Sequence, residues 1–279
     1  MKKVLSVFAT IAVLTMFLFS TAYAGTGDVT VTFWGQSAFK LESGGKTILI
    51  DPWITENPAA QGVVTVDDIT KADLILITHD HFDHIGDTHD QEGKTIHAAD
   101  TIAIAKKTGA QVVAVFETAA RLLGDGLPPQ NILFGGFGKD IGGPTDINGI
   151  SLVMTPAVHS SQSGVPVGYI IKFPGGATIY HAGDTAIFGD MLLWGTLYPI
   201  DLALLPIGGN FTMDASQAAK SLRLLTPRKA IPMHYGTFPG ILAPDADEFV
   251  TLAKKIAPGV GVIVLKPGEK YILQPTCLY

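Results

Sequence analysis

Cysteine is almost absent from this chain of 279 residues, and basic side chains are scarce. Cys277 is the single cysteine, so no disulfide can form within the chain, and stability must come from an ordinary hydrophobic core. Because Cys277 is the third residue from the C-terminal end, we expect a bystander rather than a ligand or a nucleophile. Lysine and arginine number 19 against 25 acidic residues. This balance argues against nucleic acid or an anionic membrane as the main partner, because both require a basic face.

Apolar runs long enough to span a bilayer are also lacking. The apolar stretch Val4 to Phe19 is short for a span of about 20 residues; Lys2 and Lys3 precede it and Ala22-Tyr23-Ala24 follows. This order predicts a signal peptide over residues 1–24, cleaved after Ala24, and export to the periplasm or the extracellular space. An uncleaved N-terminal membrane anchor is the alternative. Two of the 19 basic residues lie in the signal, so 17 would remain against 25 acids, a net charge of −8.

Strand-like and helical segments alternate along the rest of the chain in two similar cycles, without a sequence repeat, a low-complexity tract or a linker. Such cycles predict an α/β protein in which two β-sheets pack face to face with helices outside both. We therefore expect one domain over residues 25–279. The predicted strands are Val29–Phe33, Ala38–Glu42, Thr47–Ile50, Leu74–Ile77, Gln111–Phe116, Ile150–Thr155, Gly168–Phe173, Ala177–Tyr180, Asp201–Leu205, Lys229–Pro232, Gly261–Leu265 and Lys270–Leu273. The predicted helices are Ala98–Lys107, Glu117–Leu123, Asp214–Leu225 (with Asp214 as N-cap) and Pro244–Ile256.

Three histidines and two aspartates occupy the six positions from His79 to His84, directly after an apolar strand. Histidine and aspartate form strands poorly, and neighbouring carboxylates repel unless a positive charge lies among them. A divalent cation provides that charge, because imidazole and carboxylate are common metal ligands. In an extended loop His79 and His81 point to the same side and can bind one ion, while Asp83 and His84 can face a second. The sequence therefore predicts a metal site, with a polar surface loop as the alternative.

Five further side chains that can bind metal follow predicted strands, the position where α/β folds build their sites. They are Asp51, His159, His181, Asp184 and His234. One such residue alone is more often an ordinary surface or core group, but five beside the histidine-rich loop favour a larger site. Asp51 is expected to support the loop by accepting a hydrogen bond from a ligand histidine or a backbone N–H. His181 is a candidate for a general acid or an oxyanion partner, with a structural role as the alternative.

The order of these motifs resembles the metallo-β-lactamase superfamily, whose fold is a four-layer αββα sandwich. Within it, the chain is similar to the metal-dependent hydrolase branch related to the ascorbate-6-phosphate lactonases, over about Val29 to Glu269. The similarity rests on the loop His79–His84 with His159, Asp184 and His234, and on the motifs Trp34-Gly35, Ile50-Asp51-Pro52, Tyr180-His181-Ala182-Gly183-Asp184-Thr185, Leu205-Pro206-Ile207-Gly208, Asn210-Phe211-Thr212-Met213 and Pro232-Met233-His234-Tyr235.

The resemblance implies a hydrolase with two divalent metal ions, most readily zinc, although manganese or iron also suit such ligands. It assigns His79, His81 and His159 to the first ion, Asp83, His84 and His234 to the second, and Asp184 to both as a bridge. A hydroxide between the ions would attack an ester, lactone, amide or phosphodiester bond of a small-molecule substrate. The residues expected to take part in catalysis are Asp83, His181 and Asp184.

Substrate choice is expected to rest on loops such as Thr55 to Thr65 and Gly124 to Gly149, and Asn210 and Tyr235 are expected to line the mouth of the site. His89 and His97 are expected to be solvated bystanders. Two alternatives to this hydrolase are a β-lactamase or lactonase proper, and a non-catalytic metal-binding or ligand-binding protein on the same scaffold. No stable membrane partner is expected unless the signal peptide stays attached.

Overall fold

Two large β-sheets pack face to face in the computed structural model, which describes residues 27–275. Helices cover the outer face of each sheet, which confirms the predicted α/β architecture. The predicted signal peptide and Cys277 lie outside the described residues. Within residues 27–275, no helix combines the length and the apolar character needed to cross a membrane.

The regular elements follow the predicted alternation. The strands are β1 (Val29–Phe33), β2 (Phe39–Ser43), β3 (Lys46–Ile50), β4 (Leu74–Leu76), β5 (Thr88–His89), β6 (Thr95–Ile96), β7 (Gln111–Val113), β8 (Thr145–Ile147), β9 (Ile150–Pro156), β10 (Val167–Lys172), β11 (Thr178–His181), β12 (Leu202–Pro206), β13 (Lys229–Met233), β14 (Gly261–Val262) and β15 (Lys270–Leu273). The helices are α1 (Phe82–Ile85), α2 (Ala99–Thr108), α3 (Phe116–Gly124), α4 (Met191–Leu197), α5 (Ala215–Leu225) and α6 (Asp247–Ile256).

Each large sheet is partly antiparallel and partly parallel. The first has the spatial order β15-β1-β2-β3-β4-β7 and the second β14-β13-β12-β11-β10-β9-β8, while β5 and β6 form a separate hairpin. The strands β3, β4 and β7 run parallel in the first sheet, as do β11 to β14 in the second. Parallel strands end at one edge of a sheet, so the loops that follow them gather there.

The core has an inner layer between the sheets and an outer layer on each side. Along β3, Ile48 faces the inner layer and Leu49 packs under α2 and α3. Along β12, Leu204 faces the inner layer and Ala203 packs under α5 and α6. Alternate residues of a strand point to opposite faces, so a strand buried on both faces needs an apolar residue at every position. This requirement accounts for the uninterrupted apolar runs of the sequence.

The differences from the predicted elements lie mostly at their ends. The strand predicted to reach Phe116 ends at Val113, because its neighbour β4 pairs with it only as far as Leu76. The strand predicted over Gly261–Leu265 pairs at only two positions. The sequence did not predict α1 and α4, which are too short to show a clear helical period. Asp214 caps α5 as predicted, accepting a hydrogen bond from the Gln217 backbone N–H at 2.7 Å.

Candidate metal centre

The first ligand group consists of His79, His81 and His159. The two residues from the histidine-rich loop follow β4 of the first sheet, and His159 follows β9 of the second sheet. His81 Nδ1 lies 2.9 Å from His79 Nε2 and 3.2 Å from His159 Nε2. One potential ligand atom from each of the three residues therefore points at the same small volume.

The second ligand group consists of Asp83, His84 and His234, again drawn from both sheets. Asp83 and His84 lie on α1, and His234 follows β13. Asp83 Oδ2 is 3.6 Å from both His84 Nε2 and His234 Nε2. One ligand atom from each of these three side chains likewise lies within 4.8 Å of the others.

Asp184 lies between the two groups at the end of β11. Its Oδ2 is 3.6 Å from His159 Nε2 in the first group. The same oxygen is 3.3 Å from His84 Nε2 and 3.0 Å from His234 Nε2 in the second group. The structure thus brings together all seven residues that the sequence nominates as ligands.

Burial and neighbouring carboxylates have opposing effects on the pKa values of the ligand histidines. Burial lowers the pKa of His234, but the carboxylates of Asp184 and Asp83 outweigh burial and raise the pKa to about 9. The same carboxylates raise the pKa of His84 well above its ordinary value against the effect of burial. Burial and His84 lower the pKa of His79 well below its ordinary value, so its imidazole is neutral. The buried carboxylates therefore favour the positively charged form of the imidazoles of His84 and His234.

Three buried polar atoms of the candidate ligands have no hydrogen-bond partner: His84 Nε2, Asp184 Oδ1 and His234 Nδ1. The 3.3 Å approach of His84 Nε2 to the other Asp184 oxygen lacks the alignment of a hydrogen bond. Leaving buried polar atoms unpaired is costly. Divalent cations would bind His84 Nε2 and Asp184 Oδ1 and would replace the protons on His84 and His234. The residues present therefore fit a metal centre.

Asp51 supports both ligand groups from the end of β3, as predicted. Its Oδ2 accepts hydrogen bonds from His84 Nδ1 at 2.8 Å and from Thr78 Oγ1 at 2.7 Å, and its Oδ1 accepts one from the Thr78 N–H at 2.8 Å. Thr78 Oγ1 lies 3.0 Å from His79 Nδ1 and, having donated to Asp51, accepts the His79 proton. These bonds leave Nε2 of His79 and His84 free to bind metal.

A cavity of about 500 Å³ opens directly over the ligands. Its floor is formed by ligand residues of both groups together with Asp184. One side of the cavity is formed by five apolar side chains, here called the apolar wall: Phe82, Phe211, Phe238, Ile241 and Leu242. The predicted loops Thr55 to Thr65 and Gly124 to Gly149 contribute nothing to the lining. That prediction was wrong because the loops after β12 and β13 reach over the site instead.

Sequence relationships agree with this geometry. The family profile described as "Beta-lactamase superfamily domain" matches residues 46–235, a range that contains all seven candidate ligands. The chain belongs to the metallo-β-lactamase superfamily. A "UPF0173 metal-dependent hydrolase" of Nitratidesulfovibrio vulgaris is 47% identical over 243 residues, which cover 87% of this chain and 95% of that protein. Another, of Caldivirga maquilingensis, is 48% identical over 236 residues, 84% of this chain and 94% of that one.

A solved structure resembles the whole fold. Igni18, described as a novel metallo hydrolase of Ignicoccus hospitalis, shares 39% identity with a TM-score of 0.76 and covers 89% of this chain and 100% of its own. Together with the sequence relatives, it confirms the predicted metal-dependent hydrolase of the metallo-β-lactamase fold.

Unlike the seven candidate ligands, His181 does not point at the metal centre. Its ring lies in the core between the sheets, edge-on to Phe39 with centroids 5.7 Å apart. Nδ1 accepts the Gly183 N–H at 3.1 Å, and Nε2 is placed to donate to the Ser37 carbonyl at 3.2 Å. Burial lowers the pKa of His181, and its side chain does not line the cavity. The expected catalytic role is therefore corrected to the structural alternative, because both ring nitrogens are already bonded to backbone.

Two supporting side chains of the site were missed by sequence reasoning. Gln36 is buried with a positive φ of 52°, and its Nε2 donates to Asp83 Oδ2 at 2.8 Å. Asp80 is also buried and accepts hydrogen bonds from Arg121 Nη1 at 2.5 Å and from Ser161 Oγ at 2.7 Å. Asp80 thereby joins the histidine-rich loop to the loop that carries His159. The position of Asp80 inside a ligand-rich motif was the one available signal for this role.

The remaining candidates lie beside the site without lining it. Asn210 donates its amide to the Ile241 carbonyl, and neither Asn210 nor Tyr235 lines the cavity. His89 bonds to Glu56 at the surface, while the half-exposed His97 bonds to the buried Asp87. Neither histidine lines the cavity, as expected for bystanders.

Proposed function

We propose that this protein binds two divalent metal ions and hydrolyses an ester, lactone, amide or phosphodiester bond of a small molecule. The observation that supports two ions is the position of Asp184, whose carboxylate lies within 3.6 Å of His159 in the first group and closer still to His84 and His234 in the second. One carboxylate can bind two ions about 3.5–4 Å apart. Zinc is the ion we expect, with manganese or iron as the alternatives.

The protein residues would bind and orient the reacting groups. His79 and His84 present Nε2, because Thr78 and Asp51 accept the protons on their Nδ1 atoms. Gln36 orients the Asp83 carboxylate from the cavity wall. When bound, the metal ions supply Lewis acidity that lowers the pKa of water and polarises the scissile carbonyl or phosphoryl oxygen.

We also propose that the enzyme acts outside the cytoplasm, because Lys2, Lys3, the apolar stretch and Ala22-Tyr23-Ala24 have the order of a cleavable signal. Expression of the full chain, followed by fractionation and N-terminal sequencing, tests this proposal. A mature chain that begins at Gly25 outside the cytoplasm is expected, and an unprocessed cytoplasmic chain would contradict export.

Metal content and turnover together test the hydrolase proposal. The protein loaded with zinc, manganese or iron should contain two ions per chain and should hydrolyse ester, lactone or phosphodiester substrates. Chelation should abolish turnover, and metal addition should restore it. The His81→Ala variant should lose more than about 100-fold in kcat/KM, since loss of a ligand exceeds the effect expected for a supporting residue.

His89→Ala is the matched control, because His89 is an exposed histidine bonded to Glu56 outside the cavity. It should retain full turnover and both ions. Turnover that is indifferent both to the chelator and to His81→Ala would contradict the hydrolase proposal. A content of one ion per chain in active protein would contradict the binuclear centre alone.

A further inference from the structure

We propose that the substrate is an uncharged ester, lactone or amide with an apolar group of several carbon atoms on its acyl side. This inference rests on the proposed hydrolase function for the reacting bond, and on the lining of the cavity for the rest of the molecule. It excludes substrates that carry an anionic group remote from the reacting bond.

The apolar wall exposes large hydrophobic surfaces at one opening. Phe211 is 61% exposed, Phe82 50% and Ile241 49%. Single exposed apolar side chains are ordinary on protein surfaces, but a cluster beside a cavity indicates a ligand-binding surface. A ligand that covers this cluster gains from the removal of apolar area from water. The cluster therefore favours a substrate whose non-reacting part is apolar.

The apolar wall is supported from behind by buried aromatic packing. Trp53, which is 2% exposed, stacks on Phe238 with ring centroids 6.0 Å apart and an interplanar angle of 19°. The same indole meets Phe82 edge-on at 5.6 Å. The Asn210 amide binds the Ile241 carbonyl and so joins the loop after β12 to the loop after β13. A surface held in place before binding costs less entropy when the ligand arrives.

The charged side chains that line the cavity disfavour a substrate with an anionic group remote from the reacting bond. Among the described residues that line the cavity there is no lysine or arginine, and the carboxylates belong to Asp83 and Asp184 at the ligand groups. Arg121, which approaches the first ligand group from outside, is paired with Asp80. Transfer of a charged group against the apolar wall without a partner would be unfavourable. A phosphate or carboxylate at the far end of the substrate would therefore weaken binding.

Three methyl esters with the same leaving group test the proposal on the metal-loaded enzyme. Methyl octanoate and the monomethyl ester of octanedioic acid have the same chain length and differ by one terminal carboxylate, and methyl acetate lacks the apolar chain. We expect kcat/KM for methyl octanoate to exceed that of each other ester by about tenfold or more. Equal values, or preference for the charged or the short ester, would overturn the proposal.

Two phenylalanine variants then test whether the apolar wall causes the preference for the long apolar ester. Phe211→Ala should lower the ratio of kcat/KM for octanoate over acetate by about threefold or more, because one side of the apolar wall is removed. Phe137→Ala removes a phenylalanine of similar exposure that does not line the cavity, and should leave this ratio unchanged. A ratio that Phe211→Ala does not change would also overturn the proposal.

Binding of 3-decanone separates this proposal from the proposed function. This neutral ketone has the shape of methyl octanoate but no bond to hydrolyse, and its affinity can be measured by calorimetry. Affinity that Phe211→Ala weakens by about threefold or more supports the apolar substrate even if no ester is turned over, an outcome that would contradict only the hydrolase chemistry. Absence of ketone binding, or equal affinity in the two proteins, would overturn the apolar substrate while chelator-sensitive turnover still stood.

Discussion

The two ligand groups of the metal centre differ in how the protein supports them. In the first group, His81 and His159 are partly exposed, and their loops are joined through Asp80. In the second group every side chain is buried, and Asp51 and Gln36 hold the ligands from the interior. The comparison indicates that an ion in the first group would exchange more readily with solvent. The second group has the more rigid and less accessible position.

Asp184 is shared by both groups, and its replacement should have the largest effect. Asp184→Asn removes the charge that lies between the two groups, so both ions should be lost in part. We expect kcat/KM to fall by about 1,000-fold, which is three tenfold steps of about 1.4 kcal/mol of lost stabilisation each. Metal analysis and steady-state kinetics measure these effects. Asp190→Asn, an exposed residue before α4, serves as the control. Loss of an ion from one group only would show that Asp184 does not bridge.

Asp51→Asn should distinguish the groups by acting most strongly on the second. Asp51 bonds directly to His84 but reaches His79 only through Thr78. We expect a decrease of about 10- to 100-fold in the affinity of the second ion, the range typical of residues that orient a metal ligand. Competition with a chromophoric chelator measures both affinities. A larger decrease for the first ion would contradict the comparison.

Arg121→Met should weaken metal binding at the first ligand group alone. Arg121 donates a charge-assisted hydrogen bond to Asp80 and is also within 3.2 Å of His97. Burial opposes the ionisation of Asp80, while Ser163, Ser161 and Arg121 lower its pKa below the ordinary value. Removal of this partner should weaken the binding of the first ion by about tenfold, the effect of losing one hydrogen bond to a charged group. Arg223→Met, an exposed arginine of α5, is the control, and equal weakening of both ions would count against the prediction.

Gln36→Leu should have the smallest effect of the four. The substitution removes the hydrogen bond from Nε2 to Asp83 Oδ2 but leaves the Gln36 backbone carbonyl, which accepts the His234 N–H at 2.8 Å. We expect kcat/KM to fall by about threefold to tenfold, the effect of one neutral-donor hydrogen bond. Titration with metal should show weaker binding of the second ion only. Unchanged kinetics and metal affinity would show that Asp83 needs no such support.

Much of the fold was predictable because buried strands leave a local pattern. The predicted ranges Val29–Phe33 and Lys270–Leu273 agree with β1 and β15 at both ends. Asp214 was also predictable as a cap, because capping is a contact with the next turn of the same helix. Helix α4 was not, since it is short and exposes Leu192, Leu193 and Leu197, which blurs the separation of polar and apolar faces.

Ligand identity followed from residue type and position at strand ends, while ligand support depended on distant pairs. Gln36 and Asp83 are 47 positions apart, and Arg121 and Asp80 are 41 apart, so no local pattern can reveal these bonds. His181 illustrates the opposite error. It follows a strand in a motif shared with Asp184, yet its ring points into the core between the sheets. Which face a strand residue takes depends on the register of the whole sheet.

The local sequence determined the chemistry of the centre, because imidazole and carboxylate side chains that crowd into one loop and recur at strand ends seldom serve packing alone. It did not determine the substrate-facing surface. The apolar wall combines α1 with the loops after β12 and β13, and its phenylalanines look like ordinary core residues when they are read along the chain. Packing of Trp53 behind them, and the Asn210 bond to Ile241, decide that these rings face the cavity. Contacts of that kind exist only in the folded chain, since each joins segments that are far apart in sequence, and the stack of Trp53 on Phe238 also requires that both sheets have come together.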